Sequence, residues 1–414
     1  MAILEVQNLR YWYRTRRGAV KAVDDVSFSV DSGKTLALVG ESGCGKTSTA
    51  AAILRLLPRN VDTYEGRVLL DGQDIMQYGN EEFRQRVRWR GISMVFQGAM
   101  NALSPTTRCG YQVAEPLIVH YGTEKEEAIA ATKEALKSVG LPEYVAYRYP
   151  HELSGGMKQR VVTAMALIMK PRMVILDEPT SALDVMTQAN IINLLKRLQK
   201  ETGLAYLFIT HDLGLASELA DDVAIMYAGR IVEIGSSTKV YPTPQHPYTQ
   251  KLIQSVPLLR KEEAPDFIPG APPDLTNVPL GCRFHPRCPY AFEPCGWTSS
   301  EVAAILGHEA LAFEAADVHL ANVDRYDAKD PTQLVAYPAK GTTASSLAAS
   351  LQELVASRRS MTPFLRAIEG IQARDGRVVI RLHQGRMPEL AGEDDQRAAC
   401  WLLQQEAITP AAAT

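Results

Sequence analysis

Residues 40–47 read Gly-Glu-Ser-Gly-Cys-Gly-Lys-Thr, between an apolar run at Thr35–Val39 and a helix-forming run at Ser48–Leu57. Glycines at this spacing let the backbone turn tightly, so that successive N–H groups point inward at a bound phosphate. A helix that starts directly after the loop adds the positive end of its dipole. The lysine reaches the β- and γ-phosphates, and the hydroxyl after it ligates Mg²⁺. We therefore predict a strand, a phosphate loop and a helix, with a nucleotide held by Gly40, Ser42, Gly43, Cys44, Gly45, Lys46, Thr47 and Ser48.

The length and composition are those of a soluble protein with two or three domains. The chain has 414 residues and a formal net charge of −3, which argues weakly against nucleic acid as a partner. Its start lacks a basic stretch and a long apolar run, so we predict no signal peptide. The most apolar segment, Val161–Leu176, is too short to cross a bilayer. We expect a cytosolic chain, or one held at a membrane through partners, whose six cysteines form no structural disulfides.

The order of the predicted elements indicates a nucleotide-binding core with additions. Residues 1–33 alternate as strands of a small antiparallel sheet, and residues 98–165 have a helical pattern with a predicted capping box at Thr123 and Glu126. The later pattern predicts a strand at Met173–Leu176, a helix at Thr187–Lys200, a strand at Ala205–Thr210 and a hairpin at Ala224–Ile234. We therefore predict an α/β fold: a phosphate-loop NTPase core with an antiparallel β subdomain and a helical subdomain inserted at about 98–165.

The composition changes after about Gly235, where closely spaced prolines exclude long helices. We predict two domains, a nucleotide-binding domain at residues 1–255 and a cysteine-containing domain at residues 256–414. Residues from roughly 300 to 392 are alanine-rich, with a helical pattern that ends in a strand at Arg377–Leu382. We interpret this stretch as a small mixed α/β insertion, to which the sequence assigns no role.

A second motif, Val174-Ile175-Leu176-Asp177-Glu178, is an apolar strand that ends in two carboxylates. Alone, it fits a core strand with acidic turn residues equally well. Downstream of a phosphate loop, the same pattern brings Asp177 to the Mg²⁺ side of the phosphates. Glu178, one residue further along, can polarise the attacking water, because phosphoryl transfer depends mainly on positioning and charge compensation.

A third motif, Leu153-Ser154-Gly155-Gly156-Met157-Lys158-Gln159, precedes a long helical run and predicts a second anion-binding helix N-terminus. The chain then has two phosphate sites but no sign of two nucleotide pockets. Two chains that face each other head to tail would each give the second site to the other's ATP. Over about residues 3–255 these motifs together resemble the ATP-binding-cassette family, whose signature reads LSGGQ; Met157 stands in its last position here.

The resemblance implies roles for further residues. Tyr13 is similar to the aromatic residue that stacks on adenine, with Tyr11 and Trp12 close by in the sequence. Gln97 matches the glutamine that contacts Mg²⁺ and couples to the helical subdomain, and His211 matches the histidine that holds the γ-phosphate. The implied catalytic residues are Lys46, Glu178 and His211; the implied Mg²⁺ ligands are Thr47, Gln97 and Asp177; the implied site for a partner's nucleotide is Ser154, Gly155, Gly156, Gln159 and Asp184.

The segment Gln245-His246-Pro247-Tyr248-Thr249 is similar to one in the ATPase subunits of dipeptide and oligopeptide importers. The resemblance implies ATP and Mg²⁺ as cofactors, a peripheral location at the cytoplasmic face of the inner membrane, and hydrolysis that powers peptide import. The implied partners are two transmembrane permease subunits, a second ATPase subunit or second copy, and an extracytoplasmic substrate-binding protein, with no nucleic acid. Importers of nickel, glutathione or another small solute are an alternative. Less favoured are a soluble cassette ATPase of translation or DNA repair and a redox-sensing ATPase.

Cys282, Cys288, Cys295 and the distant Cys400 form a separate pattern. Four thiolates suit an iron–sulfur cluster or zinc, although the spacing is not the CxxC of zinc ribbons. The pattern resembles that of the peptide-importer branch, in which some members hold a [4Fe–4S] cluster. Three alternatives stay open: a cluster, zinc, or four unliganded thiols. Cys44, beside a predicted helix N-terminus, is expected to favour its thiolate form.

Overall fold

The computed structural model describes residues 1–255, 268, 270–307, 322–360 and 362–404. The chain divides into two compact units, Met1–Tyr241 and Pro242–Thr414. The division lies before the boundary predicted at residue 255, because the helix Pro247–Gln254 packs inside the second unit. There the ring of Tyr248 lies 5.4 Å from the ring of Phe284, and the ring of His246 lies 5.9 Å from it.

Strands and helices alternate along most of the first unit. Its strands are β1 (Ala2–Thr15), β2 (Gly18–Asp31), β3 (Thr35–Val39), β4 (Val61–Leu70), β5 (Gln73–Asp74), β6 (Ile92–Val95), β7 (Met173–Asp177), β8 (Ala205–Thr210), β9 (Asp222–Tyr227) and β10 (Arg230–Ser236). Its helices are α1 (Lys46–Ile53), α2 (Asn80–Arg86), α3 (Cys109–Tyr121), α4 (Lys125–Ser138), α5 (Gly155–Leu167), α6 (Val185–Thr202), α7 (Leu213–Leu219) and α8 (Ser237–Val240). The strands predicted at 35–39 and 205–210 are confirmed residue for residue.

Within the first unit, six strands form one sheet in the order β10-β9-β3-β8-β7-β6. Strands β3, β6, β7, β8 and β9 run parallel, and β10 pairs antiparallel with β9. Every residue of β3, β7 and β8 is buried, as expected for parallel strands covered on both faces. Because parallel strands end at the same edge of a sheet, the loop after β3 and the carboxylates that end β7 meet there.

The two predicted additions to this core are present. A four-stranded sheet in the order β2-β1-β4-β5 has only antiparallel pairs. Helices α3, α4 and α5 pack on one another and form the helical subdomain.

The capping box predicted at Thr123 is wrong. Gly122 ends α3 in the left-handed conformation, with φ of +67°, and the N–H of Thr123 donates to the carbonyl of Leu117 in α3. Helix α4 therefore begins one residue later, with Glu124 as an N-cap that makes no side-chain cap bond.

The second unit contains short helices and small antiparallel sheets. Its helices are α9 (Pro247–Gln254), α10 (Ser299–Leu306), α11 (Ala344–Arg358) and α12 (Pro363–Arg366). Its strands are β11 (Val323–Asp330), β12 (Gln333–Pro338), β13 (Ile368–Arg374), β14 (Arg377–Leu382), β15 (Ala391–Glu393) and β16 (Gln396–Ala398). The four strands β11 to β14 form a sheet in the order β11-β12-β14-β13, and β15 pairs with β16.

The described part of residues 300–392 is the mixed α/β module that was predicted, with the strand Arg377–Leu382 confirmed, but it contains more strands than the helical pattern predicts. Helices α10 and α11 are present, but four strands follow or separate them. The alternation of buried side chains explains the strands: Leu334 and Ala336 in β12, and Val378 and Ile380 in β14, face one side at a period of two residues. Because the whole segment is rich in alanine, its composition favoured helix and this two-residue period was overlooked.

The chain enters and leaves the inserted module, residues 297–384, at the same place. The polypeptide leaves at Gly296 and returns at Gly385, where a Cβ placed on Gly385 would lie 2.3 Å from the Cα of Gly296. Gly296 has φ of +99°, and the N–H of Arg386 donates to the carbonyl of Pro294 at 3.0 Å. The two glycines therefore let the backbones that enter and leave the module touch.

Candidate active site

The phosphate loop lies where β3 meets α1, as predicted. Gly45 is the N-cap of α1 with φ of +111°, and a Cβ there would lie 2.0 Å from the carbonyl oxygen of Ala22. A Cβ on Gly40 would lie 2.1 Å from the carbonyl oxygen of Met226. Both positions therefore require glycine, and together they fix the path of the loop between its neighbouring strands.

Lys46 is folded back over the loop. Its Nζ donates to the carbonyls of Gly40 at 2.7 Å and Glu41 at 3.1 Å, and the residue is 6% exposed. These are the bonds of an ammonium group held where a phosphate loop binds its anion. Loop carbonyls are weaker partners for an ammonium ion than phosphate oxygens, because charge-assisted bonds to anions are stronger.

Thr47 and Asp177 meet at the edge of the sheet, as the motif spacing predicts. The hydroxyl of Thr47 donates to Oδ1 of Asp177 at 3.2 Å. Burial raises the pKa of Asp177 to about 6, against the lowering effect of the Thr47 bond. Its Oδ2 is buried and has no hydrogen-bond partner among the described residues. A hydroxyl and a carboxylate with an unpaired oxygen fit Mg²⁺, which takes oxygen ligands.

Glu178 joins Gln97 and His211. Its Oε2 accepts a bond from Nε2 of Gln97 at 2.8 Å, and its Oε1 lies 2.9 Å from Nδ1 of His211. The sequence places these residues 81 and 33 positions away from Glu178, and the fold brings all three side chains together. The carboxylate is 15% exposed and can therefore reach a water molecule at the sheet edge.

Sequence reasoning missed the backbone conformation of Glu178. Its φ is +47°, in the left-handed region, which costs a non-glycine residue about 1–2 kcal/mol. Its N–H donates to the carbonyl of Ile209 at 2.9 Å, so the adjoining strand β8 holds this conformation. Strained residues of this kind cluster at functional sites.

Tyr13 differs from Tyr11 and Trp12 in burial and hydrogen bonding, although its ring lies 4.7 Å from the ring of Tyr11. Tyr11 is fully buried, whereas Tyr13 is half-buried and its hydroxyl bonds to Oγ of Ser48 at 3.1 Å. The ring of Trp12 lies under Nζ of Lys21, 5.2 Å from the ring centroid. The Tyr13 side chain therefore contacts the helix of the phosphate loop, as Tyr64 also does by donating to the carbonyl of Ala52 at 2.9 Å.

Ser154 is the N-cap of α5, as predicted, and its Oγ accepts a bond from the N–H of Met157 at 3.4 Å. Ser154 and Gly155 are exposed. A Cβ on Gly156 would lie 2.8 Å from Cγ2 of Thr187, so the turn packs closely on the start of α6. Gln159 differs from the others, because it is 3% exposed and its side chain does not lie on the exposed turn.

Asp184 is the N-cap of α6 and accepts bonds from the N–H and the hydroxyl of Thr187 at 2.9 and 2.7 Å. The next two residues, Val185 and Met186, are 78% and 75% exposed. Two large apolar side chains are therefore exposed beside the Asp184 carboxylate. The sequence analysis missed them, although two apolar residues directly after a helix N-cap were a signal.

Cys44 does not behave as expected. It is buried, and burial raises the pKa of its thiol despite the Nζ of Lys46, which lies 3.8 Å from its Sγ. The expectation of a thiolate is wrong because the loss of water around the sulfur outweighs the nearby positive charge.

Comparisons with known proteins agree with this geometry. A family model described as "ABC transporter" matches residues 23–181, and one described as "Oligopeptide/dipeptide transporter, C-terminal region" matches residues 232–295. An oligopeptide transport ATP-binding protein of Bacillus subtilis is 46% identical over 296 residues, which is 70% of this chain and 82% of that protein. The chain belongs to the ABC transporter ATPase family. It carries the C-terminal region of the oligopeptide/dipeptide transporters.

Two further relatives extend the comparison. An oligopeptide transport ATP-binding protein of Haemophilus influenzae is 43% identical, over 71% of this chain and 91% of that protein. This ABC ATPase therefore has residues beyond those it shares with that relative. An ATP-binding cassette solved as a dimer in a post-hydrolysis state with ADP and Pi is 29% identical, with a TM-score of 0.50 over 56% of this chain and 98% of the other. No helix in the described part of the chain is long and apolar enough to span a membrane.

The four predicted cysteines of the second unit line one cavity. Cys282, Cys288, Cys295 and Cys400 line this cavity together with His246 and Trp401. Burial raises the pKa of each of the first three thiols, to about 12 for Cys295. The donor set is that of a soft metal, but among the residues described no three His, Cys, Asp or Glu side chains form a metal-binding group.

Proposed function

We propose that this ABC ATPase hydrolyses ATP between two paired cassettes and thereby powers peptide import through a membrane permease. The observation that carries the proposal is the Glu178 carboxylate, held between Gln97 and His211 at the edge of the sheet that also presents Thr47 and Asp177. A carboxylate held in this way can orient and deprotonate a water molecule that attacks a nucleotide phosphate.

In the proposed reaction, Glu178 accepts a proton from a water whose oxygen attacks the γ-phosphorus, while the bond to the bridging oxygen breaks and ADP leaves. Lys46 and His211 compensate the negative charge on the phosphoryl oxygens. Thr47, Asp177 and Gln97 would hold Mg²⁺, which neutralises phosphate charge when bound. Tyr13, beside Ser48, would stack on the adenine ring.

A partner cassette completes the site in this proposal. The exposed N-terminus of α5 at Ser154, Gly155 and Gly156 offers N–H groups and a helix dipole to the γ-phosphate held by the other chain. Asp184 and the exposed Val185 and Met186 would lie in the interface. Gln159 is left out, because its side chain is buried. The related cassette solved as a dimer supports this arrangement.

The change Glu178→Gln tests the active site and the pairing together. The variant should release phosphate about 10²–10⁴ times more slowly, because it lacks the general base, and should still bind Mg-ATP. Size-exclusion chromatography in Mg-ATP should show a stable pair. The control is Glu218→Gln, a surface carboxylate that pairs with Lys196 at 2.8 Å. A Glu178→Gln protein that stays monomeric both alone and with its natural partner ATPase contradicts the proposal.

The peptide cargo rests on the C-terminal region and on relatives named for oligopeptide and dipeptide transport. We place the chain at the cytoplasmic face of the inner membrane, on two permease subunits, beside a second ATPase subunit and below an extracytoplasmic binding protein. Uptake of labelled dipeptides by cells should stop in a Glu178→Gln strain. If the Glu178→Gln strain instead loses uptake of nickel or glutathione and keeps uptake of peptides, the alternative importers are favoured.

The four thiols support a second, separate proposal of a [4Fe–4S] cluster or zinc, because all four line one cavity. Metal binding then needs the thiols to lose their protons and move into coordinating positions. Iron, sulfide and zinc analysis of anaerobically purified protein distinguishes the two. Protein free of metal with four reactive thiols removes the proposal.

A further inference from the structure

Helices of the inserted module cover only one face of the sheet β11–β14. Helix α11 packs on β12, β13 and β14, and α10 packs on β11 and β12. The face they cover carries Leu334, Ala336, Val378 and Ile380, all fully buried. The side chains that alternate with these belong to the opposite, open face, because neighbouring residues in a strand point to opposite sides.

Arginines cross the open face in a row. Arg325 pairs with Tyr337 across β11 and β12, with its guanidinium 4.3 Å from the ring centroid. Arg374 pairs with Arg377 across β13 and β14. Because Val335 pairs with Val379, the residues two positions away, Tyr337 and Arg377, are also neighbours. The row Arg325–Tyr337–Arg377–Arg374, called the arginine row below, spans three strand spacings, or about 14 Å.

The positive charge of this face is only partly compensated: Asp327, two residues from Arg325 on the same face, pairs with Lys329 at 3.7 Å. Two arginines directly opposite each other repel, and of the pair only Arg374 has an acidic neighbour, Asp375, at 3.6 Å and largely exposed to solvent. Arg325, Arg377 and the exposed Arg381 form no ion pair within the described residues. The Nε of Arg377 is buried and has no hydrogen-bond partner among them. An anionic ligand on the open face would relieve the repulsion between the two arginines.

We propose that the arginine row docks an acidic polypeptide segment in extended conformation. Guanidinium forks match carboxylates in shape as well as charge, and about four extended residues cover the length of the row. The row offers no free aromatic face on which a nucleic-acid base could stack, since the guanidinium of Arg325 already lies over the ring of Tyr337. The described part of the module exposes no large apolar side chain that would anchor it in a lipid surface.

The module can take such a partner without rebuilding the ATPase. Its entering and leaving backbones touch at Gly296 and Gly385, so the chain enters and leaves the module at one place. The alignment with the Haemophilus relative covers 91% of that protein but only 71% of this chain, so this chain has residues outside the alignment that can serve an added role.

The test measures binding of a fluorescent oligoglutamate peptide to the full chain by anisotropy, with saturating Mg-ATP to keep the phosphate loop filled. The double change Arg374→Glu/Arg377→Glu should weaken binding about tenfold or more, because the new carboxylates would face the carboxylates of the peptide. The control Lys329→Glu/Lys340→Glu makes the same charge change at two exposed lysines outside the row and should leave affinity unchanged. Phosphate release should be the same in all three proteins.

Equal affinity in the double variant and the control overturns the proposal. So does tighter binding of oligouridylate or of phosphatidylglycerol vesicles than of oligoglutamate to the unchanged protein. If charge reversal unfolds the module, the single change Arg377→Gln serves instead, together with the fall in wild-type affinity as salt rises. Affinity that is insensitive to both also overturns the proposal.

Discussion

The change Thr47→Val tests whether the hydroxyl at the start of α1 belongs to a Mg²⁺ site. That hydroxyl donates to Oδ1 of Asp177 at 3.2 Å, and Oδ2 of the same carboxylate has no hydrogen-bond partner in the described chain. Valine keeps the branched shape but removes the donor and the metal ligand. A hydrogen bond to a charged group is worth about 1.5–3 kcal/mol. The Mg²⁺ affinity of the ATP-bound protein should therefore fall by about 10–150-fold.

The assay is phosphate release at fixed, saturating ATP over a series of Mg²⁺ concentrations. The Mg²⁺ concentration for half-maximal rate should rise in Thr47→Val by the stated factor. Thr49→Val is the matched control on the same helix, since its hydroxyl bonds to the carbonyl of Gly45 at 3.1 Å and faces away from Asp177. The control should lose about 1 kcal/mol of stability and keep the wild-type Mg²⁺ dependence.

A Thr47→Val enzyme that reaches half its maximal rate at the wild-type Mg²⁺ concentration would refute the assignment. In that case the bond between Thr47 and Asp177 would be structural, and the unpaired oxygen of Asp177 would need another partner.

Two further predictions concern the loop and the second unit. Gly45→Ala should abolish binding of a fluorescent ATP analogue, because the new Cβ would lie 2.0 Å from the carbonyl oxygen of Ala22. The control Gly72→Ala, where φ is +75° and no atom lies near the new Cβ, should keep binding. Binding retained by Gly45→Ala would contradict the steric argument. Burial lowers the pKa of His246 from 6.5 to about 3, so the unfolded chain binds the proton first and stability should fall as pH drops from 6.5 towards 3. His246→Asn keeps a cap acceptor for the N–H of Tyr248 and should flatten that dependence in denaturant titrations at several pH values; an unchanged slope would count against it.

The core of the active site could be predicted from the sequence because each piece is local. A buried apolar strand followed by glycines or carboxylates fixes which residues end at the sheet edge, as it did for Lys46, Thr47 and Asp177. The resemblance to a family then supplied the partners Gln97 and His211, which local patterns alone could not have placed beside Glu178.

Other features depend on tertiary contacts that no local pattern carries. The left-handed φ of Glu178 is held by a bond to Ile209 in a strand that comes later in the chain. The burial of Cys44 depends on packing against distant elements, so a thiolate was expected wrongly, and local patterns did not reveal that the Gln159 side chain is buried. The sheet of the inserted module was hidden by the alanines around it, and the row of arginines becomes visible only once strand register is known.

The touching glycines at positions 296 and 385 have a consequence for how such a chain can diversify. Once the two ends are held together, lengthening what lies between them is cheap, about 0.6 kcal/mol for each doubling of an unstructured loop. A further folded segment, or a fluorescent reporter, could be inserted between these residues without moving the backbone on either side of them. Lineages of this ATPase could thus acquire or discard an accessory domain in a single recombination event.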